Sequence, residues 1–295
     1  MSIRFLPAIA AAAALSLTAA LSACSSQDSD PLAEVPAFDV DPQRVKLVDA
    51  GDGEKKVLSY ATEGAQQATS VEVANGIYQG TVATDKVDAA APQPGAADAQ
   101  TLQLDVTSTG TTTDVVAEGF RMRWSFDPTG QINDVKLLPE DGSSDEDRQR
   151  LETALLQIMS SMPVFPREEV GEGATWTSTA QTLGRTSMNR TTTYTVTKFE
   201  GTTVTLDLDI SEELPREASS PGPDSGSKPD EAAPDAEQLN EESFNTTSQA
   251  EITVDLTKPI PVAGQNAATT RLVYAGQNQD FKVVQDVTTA TRYGK

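Results

Sequence analysis

The chain has 295 residues, 22 Lys and Arg against 44 Asp and Glu, a formal net charge of −22, one Cys and no His. Without imidazole or a second thiol, Ser-His-Asp and Cys-His nucleophile systems, zinc sites built on His or Cys, iron–sulfur clusters and disulfides within the chain are excluded. Clustered Lys and Arg, which phosphate neutralisation needs, are missing as well, so nucleic acid is not an expected partner.

Arg4 is followed by an apolar run of 17 residues, Phe5 to Leu21, and then by Leu21-Ser22-Ala23-Cys24. A basic start, a short apolar stretch and small residues before a cleavage point are the signature of a secretory signal peptide. The run contains Pro7 and falls short of the ~20 apolar residues that a membrane span needs. The string LSAC, with the only Cys of the chain placed where the apolar run ends, resembles the lipobox of bacterial lipoproteins. That resemblance implies cleavage between Ala23 and Cys24, removal of residues 1–23 and acylation of Cys24. The mature chain is then expected on the extracytoplasmic face of the cell membrane, held by its lipid; two or more acyl chains make a stable anchor where one does not.

Residues 24–38 read as a flexible tether: CSSQDSDPLAEVP is polar and carries two prolines. Thirteen such residues reach at most ~45 Å. The acidic body behind them has no attraction to an anionic lipid surface, so the acyl chains are the expected attachment.

From there the signals are mostly those of strands. The 35 Thr suit a pleated, half-solvated surface. Val71–Val73, Asn75-Gly76 and Ile77-Tyr78 predict a hairpin, because a type I′ turn needs positive φ at both central residues and Asn-Gly tolerates it. A second hairpin is predicted around Asp127-Pro128-Thr129-Gly130; its incoming strand alternates, with Phe120, Met122, Trp124 and Phe126 on one face. A third pair covers Thr191–Phe199 and Thr202–Ile210.

One helix is predicted, at about 144–162. Leu151, Leu155, Ile158 and Met162 recur at helical spacing, Ser143 with Glu146 or Ser144 with Asp147 can form a capping box, and Pro163 stops the run. Asp141, Ser143, Asp145, Asp147 and Glu152 also fall at the ligand spacing of a calcium loop, but Glu146 stands where that loop needs Gly. Acids that favour a helix dipole account for the same residues, and no metal or cofactor is expected.

Residues 86–99 and an acidic insert at about 212–244 read as unstructured; residues 212–242 alone hold ten acids, two bases and five prolines. Strand patterns resume at Ala250, so residues 39–295 are expected to form one β-rich domain. The predicted class is α+β, mostly β: a strongly bent antiparallel sheet, half-barrel-like, with one amphipathic helix packed on it.

The run Val164-Phe165-Pro166 and Val170-Gly171-Glu172-Gly173-Ala174-Thr175-Trp176-Thr177, then Thr-rich strands, then Glu251-Ile252-Thr253-Val254-Asp255-Leu256 with Pro259 and Pro261, resembles the uncharacterised 6263 domain-of-unknown-function family of secreted proteins and lipoproteins. That family brings no catalytic residues to transfer. In the chain itself, Gly171 and Gly173 are expected to permit the turn after Pro163 and Trp176 to plug the core. At the level of architecture, a lipobox before a bent sheet is similar to envelope lipoproteins that carry lipids or glycolipids. The expected function is non-catalytic: a lipid-anchored envelope protein whose β-domain is a binding or interaction module. Two alternatives stand beside it. One is a lipid or glycolipid carrier, with Phe120, Met122, Trp124 and Phe126 lining the concave face; the other is a hydrolase built on paired carboxylates, which needs no His.

Overall fold

The computed structural model describes residues 30–94, 98–140, 142–182, 188–213, 240–276 and 278–294. The signal peptide and Cys24 therefore lie outside the described residues, as does 214–239 of the acidic insert. The strands are β1 (Phe38–Asp39), β2 (Arg44–Asp49), β3 (Asp52–Val57), β4 (Glu63–Ala83), β5 (Asp98–Thr109), β6 (Thr112–Ala117), β7 (Phe120–Phe126) and β8 (Ile132–Pro139). After helix α1 (Asp145–Ser160) come β9 (Glu169–Glu172), β10 (Thr175–Gln181), β11 (Asn189–Glu200), β12 (Thr203–Glu213), β13 (Asn240–Asp255), β14 (Ala263–Ala275) and β15 (Phe281–Tyr293).

Thirteen strands form one antiparallel sheet in the order β1-β8-β7-β6-β5-β4-β15-β14-β13-β12-β11-β10-β2, and β3 pairs with β9 separately. Two meanders, one on each side of the helix in sequence, are thus joined along β4 and β15. The sheet is open, because its edge strands β1 and β2 do not pair. Yet only Val40–Gln43 separate the end of β1 from the start of β2. Five Cα steps limit the distance between those edges to about 18 Å, whereas thirteen strands laid flat would put them roughly 58 Å apart. The sheet is therefore curved, with its two edges within about 18 Å of each other at that point.

Helix α1 lies inside the curl. Ser144 caps it, its Oγ accepting from the Asp147 amide at 3.1 Å. The helix packs against β7 and β4; Leu151, Ala154, Leu155 and Ile158 enter the main core with Leu102, Leu104, Met122, Trp124, Leu206 and Ile252. Its end is tied to the last strand: Ser161 and Tyr293 share a 2.6 Å hydrogen bond, and Gln157 Nε2 donates to the Ala290 carbonyl at 2.9 Å. An aromatic chain runs from Phe126 through Tyr60 and Phe165 to Trp176 and Tyr194, with Trp176 stacked on Tyr194 at 5.2 Å between centroids. Trp176 does plug the core, and its Nε1 donates to the Val164 carbonyl at 3.0 Å.

Three local expectations change. Asn75-Gly76 forms no hairpin: β4 runs straight through it, the two residues face Thr289 and Thr288 of β15, and neither takes a positive φ. The two-residue turn with positive φ falls at Glu118-Gly119, between Ala117 and Phe120. Residues 87–94 form no strand or helix, but they are held against the outer face of the sheet. There the carbonyls of Asp88 and Ala91 accept from Arg271 and Thr247, and Gln249 donates to Gln93. Strands β12 and β13 also extend into the predicted insert, to Glu213 and from Asn240.

Candidate ligand-binding cleft

The alternating stripe belongs to the packed core. Phe120, Met122, Trp124 and Phe126 are all buried and share one hydrophobic cluster with the helix. A space of about 10 Å³ is bordered by Trp124, Phe126, Tyr60, Thr113 and Met162, room for no more than one water. In this structure the stripe faces helix side chains, Leu151, Leu155 and Ile158 among them, in place of an open ligand space.

The helix does not fill the whole curl. On its other flank a cleft of about 380 Å³ remains at the open seam of the sheet, within the size range of small-molecule sites. Val135 and Leu137 of β8 line it from the same sheet face as the core stripe, since they stand opposite Trp124 and Met122. Phe38 of β1 stands opposite Val135 and is 60% exposed at the mouth. Leu156 and Met159 supply the helix wall, and Ile132 and Val40 complete the apolar surface. Across the seam, Ala180, Arg190 and Thr289 come from β10, β11 and β15.

The side chains at the two ends of the cleft differ. At the inner end, the Arg190 Nε donates to Glu212 Oε1 at 2.7 Å and its Nη2 donates to Thr289 Oγ1 at 2.8 Å. Glu212 is 1% exposed and also accepts from Thr270 at 2.6 Å. A buried carboxylate of this kind needs its cation and its hydrogen bonds, so the Arg190 charge is already neutralised. At the mouth stand Asp39, Asp41 and Glu152, all exposed and none with an ion-pair or hydrogen-bond partner among the described residues. Between the ends, Gln43, Gln131, Gln157 and Gln181 offer neutral amides. Gln43 is fixed by its backbone N–H donating to Gln131 Oε1 and by its side-chain Oε1 accepting from Ser178.

Of the acids that match a calcium-loop spacing, Asp145 pairs with Arg148, and Asp147 binds Ser144 and Arg150, while Glu152 stands apart at the cleft mouth; Asp141 lies outside the described residues.

Part of the expected tether is also fixed. Asp30 pairs with Arg123 on the outer face of β7, Leu32 is buried, and Lys136 Nζ donates to the carbonyls of Leu32 and Ala33. Arg123 also pairs with Asp114, and these contacts hold Asp30 well below the usual carboxylate range, the Arg123 hydrogen bond first. The chain then turns through 31–35 and supplies β1, so a segment read as linker forms the lip of the cleft.

Sequence reasoning missed the cleft because its walls come from both sheet edges and one helix flank. Phe38 sits in a linker-like stretch, and Ala180 and Thr289 sit in solvated-looking Thr-rich strands. No family model, curated protein or solved structure matches this chain.

Proposed function

We propose that this chain is a bacterial lipoprotein anchored through Cys24 on the extracytoplasmic face of the cell membrane. In this reading it has no catalytic activity and its β-domain binds a ligand in the seam cleft. The cleft carries the binding part: it is large enough for a small molecule, walled by apolar side chains on three elements, and open at Phe38. This moves the carrier reading from the core stripe to the seam. The lipobox and the fixed segment 30–38 support the anchor, since five residues between Cys24 and Asp30 reach at most about 21 Å. The lip of the cleft then stays close to the bilayer.

The test has two arms. Cells expressing the full chain are given labelled palmitate; label in the wild type and none in Cys24→Ser is expected, and label in neither rejects the anchor. A chain beginning at Ser25 behind an ordinary cleavable leader keeps every described contact, all of which begin at Asp30. Native mass spectrometry of that chain should show an added mass that organic extraction removes; a bare mass from cells and after incubation with envelope lipid extract rejects the ligand site.

A second reading, docking of an envelope protein, is favoured by the exposed Ile77, Phe244 and Phe281 on β4, β13 and β15. It predicts a crosslinked partner that Phe244→Ser abolishes while leaving the bound small molecule in place.

A further inference from the structure

We propose that the cleft takes a single-chain amphiphile whose head carries no negative charge. This rests on the reading of the cleft as a ligand site and adds the chemistry of the ligand. Phe38, Val135, Leu137, Leu156 and Met159 make a continuous apolar wall from the mouth inward, which suits an extended hydrocarbon chain and offers it no polar partner. The cleft has one cationic side chain among its described lining residues, Arg190, and Glu212 already neutralises it at hydrogen-bonding distance. An anionic head placed inward therefore finds no free countercharge among the described residues.

Placed outward, an anionic head meets Asp39, Asp41 and Glu152 at the mouth. Their own ion-pair partners are absent among the described residues, and low-dielectric walls focus their field into the opening. Three such charges at roughly 8 Å weaken anion binding about tenfold even at the dielectric constant of water. An uncharged head escapes this repulsion, and the Gln amides that line the cleft can bond hydroxyls that reach them.

The chain beginning at Ser25 is titrated calorimetrically with dodecyl maltoside, dodecyltrimethylammonium and laurate, each below its micelle concentration, at pH 8 and an ionic strength of about 0.01 M, where screening is weak. The maltoside and the ammonium probe are expected to bind once per chain, and laurate about tenfold more weakly or not at all. In D39N/D41N/E152Q, three exposed positions whose replacement spares the core, laurate should come within about threefold of the maltoside. Phe38→Ala, also exposed, should weaken all probes that bind. If laurate binds the wild type as tightly as the maltoside, or if the triple variant leaves the gap intact, the charge selection is wrong while the ligand site stands. If none of the three probes binds, the ligand site itself falls. Binding that Phe38→Ala leaves untouched places the probes outside the cleft and overturns the proposal.

Discussion

Asp30 and Arg123, 93 residues apart in sequence, meet at 2.6 Å on the outer face of β7. The contact fastens the first described residue to a strand whose inner face carries Met122 and Trp124. Because Arg123 holds the Asp30 carboxyl below the usual range, the pairing is complete at neutral pH and is lost as pH falls through that lowered value. Arg123→Gln should therefore raise amide exchange at Leu32 and Ala33 at pH 7. In the wild type the same rise should come only in acid, well below pH 4. Equal exchange in both proteins at pH 7 would show that Lys136 and the burial of Leu32 hold the segment without Asp30.

The Arg190–Glu212 pair gives a sharper stability test. Glu212 is 1% exposed, so Arg190→Met leaves a carboxylate stranded in the interior and should destabilise the fold by about 3–5 kcal/mol. Replacing both, R190M/E212L, removes the stranded charge and should recover most of that loss. Urea melts of the three proteins decide the matter. A double variant as unstable as the single one would mean that Thr270 and Thr289, left without their partners, carry the cost.

Thr113 points the other way. Its side chain is buried on β6, its Oγ1 has no partner among the described residues, and it borders the 10 Å³ void. Thr113→Val keeps the shape and removes an unsatisfied hydroxyl, so it should raise stability by about 1 kcal/mol. A loss of stability on thermal melting would mean that the hydroxyl has a partner in solution, such as a water in that void.

How much of this was legible follows the range of the forces involved. Alternation in Phe120–Phe126 and the spacing of Leu151, Leu155 and Ile158 give the strand and helix faces, and Ser144 with Asp147 marks the helix start, because each signal is local. Asn75-Gly76 misleads for the same reason: a local turn preference loses to ladder bonds on both sides of β4, while Glu118-Gly119 turns despite a weaker signal because Ala117 and Phe120 are already paired. The cleft is the opposite case. It exists because the Val40–Gln43 linker brings the two sheet edges together, and no window of sequence contains Phe38, Leu156 and Arg190 at once.

Three buried tyrosines set the alkaline limit. Burial pushes Tyr194 up to about 12 and pushes Tyr60 and Tyr293 higher still. An unfolded tyrosine loses its proton near pH 10, so the native state binds more protons above that pH. Stability is complete below pH 10 and then falls, by up to about 1.4 kcal/mol per pH unit for each tyrosine. Urea midpoints at pH 9, 10, 11 and 12 should fall more gently in Tyr194→Phe than in the wild type. Parallel curves would show that Tyr194 titrates alike in both states.

Gly171 and Gly173, both expected to serve a turn, should respond differently to Ala. Gly173 has φ +75° with open space around it, so Gly173→Ala should cost only the backbone strain, about 1 kcal/mol. Gly171 lies in β9 without a positive φ, and a Cβ there would sit 2.1 Å from the Asp52 carbonyl oxygen. That oxygen belongs to β3, so Gly171→Ala must push the two-stranded sheet apart and disturb the neighbouring bond from the Gly171 amide to Ala50. Overpacking against backbone should cost about 1–3 kcal/mol, with the larger share of that range expected because no side chain can swing away. Thermal melts of the two variants separate the roles: a Gly173→Ala loss as large as that of Gly171→Ala would mean that the turn, not the close approach of β3 and β9, limits what this site tolerates.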